Sequence, residues 1–278
     1  DHLDQPARGA QAMSRILRNL YMAAIALVLV APLVVIAGVS VNASKFLSFP
    51  PKGFSLQWYV EIFADSAWFA ALQNSLIVAA GAAGLAVSIA LPVAYCLWRY
   101  RLFYARALFT LGVTPFVLPP VIMALGFLIF FTTVGVHGKM INVVLAHAIF
   151  LTALPLITIS LGLESVRHEM IEAGQTLGAD DVTVFRTVTL PIVRPYIISG
   201  FAFAFVLSLN EYIIAFMTVG FTVETLPIKI FNALRYGYTP VMASVAVVFI
   251  LVNVLVFGLI ARFGDLPRLL GAWNAGEE

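Results

Sequence analysis

Charge is scarce in this chain: of 278 residues only 11% are Asp, Glu, Lys or Arg, where a soluble domain carries roughly one quarter. A water-soluble globular fold is thereby excluded. Cysteine is scarcer still, because Cys96 stands alone and no disulfide can form within the chain. A lone Cys in an apolar segment reads as packing. Dyad alternation of polar and apolar residues is missing, which excludes a membrane β-barrel. No Walker sequence occurs. Neither a Ser-His-Asp order nor a nucleophile elbow is present, so an enzyme is not expected. His147 has no Cys, His or acidic residue at ligand spacing, so no metal site is expected.

What is present is hydrophobic: 62% of the residues. About 20 apolar residues cross a bilayer as a helix, and six runs qualify: 20–41, 69–98, 107–134, 140–163, 196–219 and 241–263. The expected fold is all-α, a polytopic membrane protein with six transmembrane helices. Positive residues stay on the cytoplasmic side. With both termini inside, eleven arginines (8, 15, 18, 99, 101, 106, 167, 186, 194, 262 and 268) are cytoplasmic, against Lys45, Lys52, Lys139, Lys229 and Arg235 outside. The net charge of +2 therefore reports topology and not nucleic-acid binding. Residues 1–19 form a cytoplasmic leader, unstructured before Met13. Residues 20–263 form the transmembrane domain, and 264–278 a cytoplasmic tail. The 23–41 run is too long for a cleavable signal peptide and lacks an exit site.

Proline punctuates the runs. Pro115, Pro119 and Pro120 remove backbone donors and should bend or break the third span, while Pro32, Pro92 and Pro155 suggest milder kinks. Of the external loops, 42–68 and 220–240, the first holds a Pro-rich stretch and then a short interfacial helix. Trp58, Ile62 and Phe63 are expected on one face of it, at the bilayer surface. The second has Leu226, Ile230 and Leu234 as an apolar stripe. Either loop could anchor in membrane lipid or meet an external partner.

Between the fourth and fifth spans lies a polar segment, 164–195, far longer than a hairpin connection needs. Glu164 to Leu177 favours helix, and Gly178 suits the left-handed position past a helix end. Asp180 and Asp181 stand where a second helix begins, and Pro191 and Pro195 should end that helix before the fifth span. The result is a helix-Gly-helix elbow. Met170, Leu177, Val184, Phe185 and Val188 make an apolar side, and Glu172, Asp180 and Arg186 a charged one. An exposed apolar side implies docking.

The run Glu172-Ala173-Gly174-Gln175-Thr176-Leu177-Gly178, nine residues, then Val188-Thr189-Leu190-Pro191 resembles the EAA loop of ABC importer permeases, those sharing the methionine-importer-like transmembrane fold. Gly174 replaces the usual Ala, and Val188 the common Ile. The resemblance implies a non-enzymatic permease subunit in a bacterial inner membrane. Its elbow would couple to a cytoplasmic ATPase dimer through Glu172, Ala173, Gly174, Leu177, Gly178, Phe185, Leu190 and Pro191, with Glu172 pairing a basic residue and Gly178 allowing the turn. No cofactor is expected in this chain, and ATP and Mg would be held by the ATPase. A second homologous permease and an external substrate-binding protein complete the assembly. Residues 49–59 (Phe-Pro-Pro-Lys-Gly-Phe-Ser-Leu-Gln-Trp-Tyr), Asn74-Ser75-Leu76 and Ser208-Leu209-Asn210-Glu211 are similar to spermidine/putrescine-type permeases, a group that includes opine and aminoalkylphosphonate importers.

Glu211 is expected near the middle of the fifth span, where an ionisable group costs roughly 2.5–3.5 kcal/mol by insertion scales. On a continuous helix it would share a face with Gly200, Ala204, Ser208 and Ala215. It could meet a cationic cargo or hydrogen-bond a neighbouring helix. Ser208, Asn210 and Asn74 are further pathway candidates, and Asn74, Asn142, His147, Asn210 and Asn253 could each line a pathway or bond across helices. A secondary transporter coupling ions through Glu211 is the alternative from another class.

Overall fold

The structure is a computed structural model and describes residues 5–100, 102–236 and 240–263. The expected tail 264–278, with Arg268, and Arg101 lie outside the described residues. The helices, in chain order, are α1 (Gln5–Ser40), α2 (Gln57–Ala64), α3 (Ser66–Tyr100), α4 (Phe103–Val117), α5 (Pro120–Val134), α6 (Met140–Leu151), α7 (Ala153–Glu164), α8 (His168–Thr176), α9 (Asp181–Val184), α10 (Leu190–Asn210), α11 (Ile213–Val219), α12 (Leu226–Tyr236) and α13 (Val241–Phe263). Among the described residues the only β feature is an isolated bridge, Asn42 to Phe54.

Among the described residues four helical stretches are long and apolar enough to cross a membrane: Arg15–Ser40, Ser66–Tyr100, Asp181–Asn210 and Val241–Gly258. Two bent pairs, α4 with α5 at 111° and α6 with α7 at 45°, bring the number to six if each pair is one span. The third span is thus a sharp break. Leu118 and Pro119 are both extended, with ψ 147° and 134°, because each precedes a proline and that neighbour excludes the α region. The 45° bend falls where Pro155 cannot donate to the Leu151 carbonyl. Two expectations need correction. Residues before Met13 are helical from Gln5 onward, as Pro6 fits a first turn and the Ala, Arg and Gln that follow favour helix. Pro191 does not end a helix: Asp181–Asn210 runs on, through a π-helical turn at Phe185–Thr189.

The chain forms two compact units. The larger comprises residues 65–234 and 251–278, and its centre is α3. Ala71, Ala79, Ala82, Ala83, Ala86, Ala90 and Ala94 are all buried along that helix, a small-residue stripe of the kind that lets helices approach closely. α7 and α10 meet at glycines: a Cβ on Gly162 would lie 2.7 Å from the Tyr196 ring, and one on Gly200 2.7 Å from the Pro155 Cα.

The smaller unit comprises residues 1–64 and 235–250. Its loop is organised by Asn42, whose Oδ1 accepts from Ser44 N (3.1 Å) and Lys52 N (3.0 Å) and whose Nδ2 donates to Ser48 Oγ (2.9 Å). Trp58 Nε1 donates to the Asn42 carbonyl at 2.6 Å. Trp58, 7% exposed, and Ile62, 1% exposed, therefore pack inward while Phe63 is 61% exposed. The expected shared face does not exist, because one residue step turns a helix by about 100°. In α12 the expected stripe is graded, from buried Leu226 to exposed Leu234, and residues 237–239 of that loop lie outside the described ones.

Candidate functional site

The elbow is built as its residue types dictate. α8 ends at Thr176 with Leu177 as its C-cap, Gly178 takes φ +88°, and the freed amides turn back, Gly178 N to Gln175 O at 2.9 Å and Ala179 N to Gly174 O at 3.1 Å. An L-residue would be strained at that φ. Asp180 is the N-cap of α9, its Oδ1 accepting from Thr183 N at 2.9 Å. That hydrogen bond holds the Asp180 carboxyl below its usual pKa of 3.8. The π turn then delivers the chain into Pro191: the Leu190 N–H bonds to Phe185 O, five residues back, immediately before the ring that would crowd a regular i−4 carbonyl.

The residues expected to couple divide into two groups. Glu172, Ala173, Gly178 and Pro191 are exposed, and Leu177 is 88% exposed, an unusual state for a large aliphatic side chain. Gly174, Phe185 and Leu190 are half-buried and face the bundle. A Cβ on Gly174 would come within 3.2 Å of Val184 Cγ2, so glycine at this place lets α8 close on α9. Val184 is buried and Val188 packs on the same cluster with Ala90, Ala94 and Ile171. The expected apolar side is thus mostly the elbow's root, and its outer apolar surface is Leu177, Met170 and Val182.

Sequence reasoning missed what the elbow is rooted on. Phe185 meets the Tyr95 ring edge-on at 4.9 Å, and His168 stacks on Trp98 at 5.5 Å with an interplanar angle of 7°. Arg99 Nη2 lies 3.3 Å from Asp181 Oδ1, which also accepts from Gln175 at 2.9 Å. Arg99 carries only a topological signal in the sequence, and its partner is 82 residues away. Beside these contacts an apolar hollow of about 340 Å³ opens among Leu91, Pro92, Tyr95, Tyr100, Val182 and Phe185.

A second polar site lies inside the bundle, and here two expectations are corrected. α10 stops at Asn210 and Glu211 is extended, with φ −78° and ψ 125°, so Glu211 is not inside a continuous helix and Ala215 belongs to a different one. His147 does have an acidic partner: its Nε2 is 3.1 Å from Glu211 Oε2 and its Nδ1 is 2.7 Å from Ser208 Oγ. The partners are more than 60 residues away, beyond any local spacing rule. A carboxylate only accepts, which assigns a proton to Nε2. Glu211 also accepts from Ile214 N and Ala215 N, both at 3.0 Å, capping the first turn of α11. Among the described residues no three His, Cys, Asp or Glu side chains group as metal ligands.

Of the other pathway candidates, Asn210 is exposed beside the break, its Nδ2 donating to its own helix at Val206 O, 2.7 Å. It lines a cavity of about 400 Å³ with Phe150, Leu207, Glu211, Tyr212 and Ile213. Asn74 lies apart from this group and donates to the Glu224 carbonyl at 2.9 Å. Asn142 donates to the Val136 carbonyl, and Asn253 Oδ1 is buried without a partner.

Comparison with known proteins gives this arrangement its context. Residues 86–266, from the middle of α3 through the elbow and Glu211, match the family model for the binding-protein-dependent transport system inner membrane component. The spermidine/putrescine transport system permease protein PotC of Haemophilus influenzae is 31% identical over 243 residues, covering 87% of this chain and 94% of that protein. Among solved structures, a bacterial ABC transporter for import of the acidic polysaccharide alginate superposes with a TM-score of 0.71 at 15% identity, covering 91% of this chain and 97% of that one. The MetNI methionine ABC transporter superposes with a TM-score of 0.59 at 17% identity, covering 70% and 94%. The methionine-importer-like fold is therefore the fold found, with a carboxylate-capped break in α10–α11 and a projecting elbow. The chain belongs to the binding-protein-dependent transport system inner membrane components, the multi-pass permease subunits of ABC importers, and is a transport subunit rather than an enzyme.

Proposed function

We propose that the elbow is the seat of a cytoplasmic ATPase and that the imported cargo is a polyamine or a related small cationic compound. The observation that carries the first half is the division of the elbow into an anchored root and a bare outer face. Leu177, Met170 and Val182 stand exposed, as does Glu172, on a segment whose root is fixed by stacking, packing and an ion pair. Exposed apolar side chains together with an acid suit a groove with an apolar floor and a basic residue. In this reading both termini are cytoplasmic, as the arginine distribution requires. A second, homologous permease supplies the other half of the pathway, and an external binding protein delivers the cargo. ATP and Mg belong to the ATPase, two copies of which need two elbows.

The cargo half rests on the likeness to a spermidine/putrescine permease and on the break at Glu211. Asn210 and Glu211 beside the 400 Å³ cavity, with Ser208 behind them, are the residues we assign to the pathway. Broken helices in transporters put carbonyl dipoles and polar side chains at the cargo. Asn74 serves the loop at Glu224 instead. Membership of a binding-protein-dependent family removes the reason for reading Glu211 as an ion-coupling acid.

Glu172→Arg tests the docking. The ATPase should no longer co-purify with the detergent-solubilised permease while the spans stay inserted, and uptake of labelled putrescine should fall to background. Retained assembly with full uptake would sink the docking role. Uptake of an unrelated solute, uncompeted by spermidine or putrescine, would sink the cargo assignment alone.

A further inference from the structure

The hollow of about 340 Å³ at the root of the elbow has no occupant in the proposed function. Its walls are the ends of two spans that run in opposite directions: Ser66–Tyr100 leaves the membrane here, and Asp181–Asn210 enters it. Tyr100 and Asp181 therefore stand at the rim. Leu91 and Pro92 lie roughly 12–14 Å deeper along α3 at 1.5 Å per residue, and Phe185 is one turn in from Asp181. Two contacts join the walls, the Arg99–Asp181 ion pair at the rim (3.3 Å) and the edge-on contact of Tyr95 with Phe185 farther in (4.9 Å).

The level of the rim follows from its residues. Tyr95, Trp98 and Tyr100 crowd the last turns of α3, and Trp and Tyr concentrate where a bilayer's headgroups lie. Pro92 and Tyr100 are both exposed, so the hollow is open beside the end of a span. Its lining grades from apolar at depth to charged at the rim, as a phospholipid does from acyl chain to headgroup.

The charges narrow the choice of headgroup. A guanidinium has five N–H groups, and Arg99, whose side chain is 23% exposed, gives Asp181 a bond from Nη2, which leaves donors in the fork geometry that suits a phosphate. Asp181 Oδ1 takes the bonds from Arg99 and Gln175, which leaves Oδ2 open on a side chain that is 53% exposed. A primary ammonium can donate to that oxygen. A purely anionic headgroup would meet the Asp181 charge instead, and a quaternary amine has no N–H to offer.

We propose that this hollow is a phospholipid site. Its occupant is one lipid of the leaflet on the elbow's side, with a headgroup that joins a phosphate to a primary ammonium. The phosphate lies on Arg99, the ammonium on Asp181, and an acyl chain over Leu91, Pro92 and Phe185. The bound lipid fills the gap between α3 and α9 and stiffens the root of the elbow. The site needs the membrane placement of two spans and not the docking of an ATPase.

The experiment takes the complete importer in detergent and exchanges its lipid against an equimolar mixture of phosphatidylethanolamine, phosphatidylcholine and phosphatidylglycerol. Mass spectrometry of the intact complex then counts the lipids retained. Lipid held elsewhere is common to wild type and variants, so the difference between them reports this site. Leu91→Trp fills the floor of the hollow: the complex should stay assembled, lose the bound lipid, and lose the protection from amide exchange that the lipid gives α9. In wild type the lipid lost by that variant should be phosphatidylethanolamine over each of the others by about threefold or more, as suits partly exposed charges. Asp181→Asn keeps an oxygen for Arg99 and Gln175 and should bring the ethanolamine and choline lipids level, whereas Arg99→Gln should lower retention of all three. An assembled Leu91→Trp complex that holds lipid as wild type does overturns the site. So does wild-type retention that is equal for the three lipids or greatest for phosphatidylglycerol. An importer that keeps this selectivity but loses no ATPase on Glu172→Arg overturns the docking reading alone.

Discussion

The elbow and the joint at Glu211 use one device in two solvents. Both interrupt a helix and restart it with an acidic side chain on the free amides of the new first turn: Asp180 on Thr183 N, and Glu211 on Ile214 N and Ala215 N. Asp180 is exposed and could be exchanged with water. Glu211 is about 10% exposed, and its carboxylate is charged only at the cost of leaving water. The fold answers with three donors, one of them the His147 ring, which is itself held by Ser208. A cap in water is a local convenience, and the same cap in the bilayer recruits α6 and α10 into a network. That is why the first joint stays local to the elbow and the second fixes the packing of three helices around Glu211.

The difference can be broken from the buried side first. Glu211→Ala leaves two amides and the His147 N–H without an acceptor, and removing one partner of a buried pair costs about 3–5 kcal/mol. Its solubilised complex should melt well below wild type and transport nothing, and thermal unfolding together with uptake assays checks both. If the variant melts like wild type, water already serves those amides and the contrast fails. Gly178→Ala should cost about 1–2 kcal/mol through the left-handed φ alone. That loss should appear as faster amide exchange confined to α8 and α9, with membrane insertion intact. The smallest effect belongs to Asp180→Asn, which keeps a side-chain oxygen for Thr183 and should leave ATPase co-purification unchanged at neutral pH. Acid separates the two. The folded pKa of Asp180 lies below 3.8, so its contribution is present above the usual carboxylate range and is lost as pH falls through the lowered value. Protection of the Thr183 amide should decline there in wild type and stay flat in Asp180→Asn.

How far the sequence foretold these two sites follows from the distances involved. Gly178, the Asp180 cap and the proline break at Leu118–Pro119 rest on preferences of neighbouring residues, and each was readable. The interruption at Glu211 was not, since no proline or glycine marks it and its carboxylate's side-chain partner, His147, lies more than 60 residues earlier. The helical Asp181–Asn210 run defeated the proline rule for a local reason, the π turn, that composition does not signal. Trp58 and Ile62 share a buried face that Phe63 does not join, and its inward direction was not readable because the Asn42 carbonyl that takes the Trp58 N–H is 16 positions away.

The π turn at Phe185–Thr189 also sets how the elbow and the far end of α10 can vary independently. A turn closed over five residues instead of four contains one residue of slack, so a single residue lost from it converts the turn to regular helix without rotating either neighbour. The glycine turn at 178 has no such reserve. Changes of length are thus absorbed on one side of α9 only, and the register between Ser208 and His147 is insulated from them.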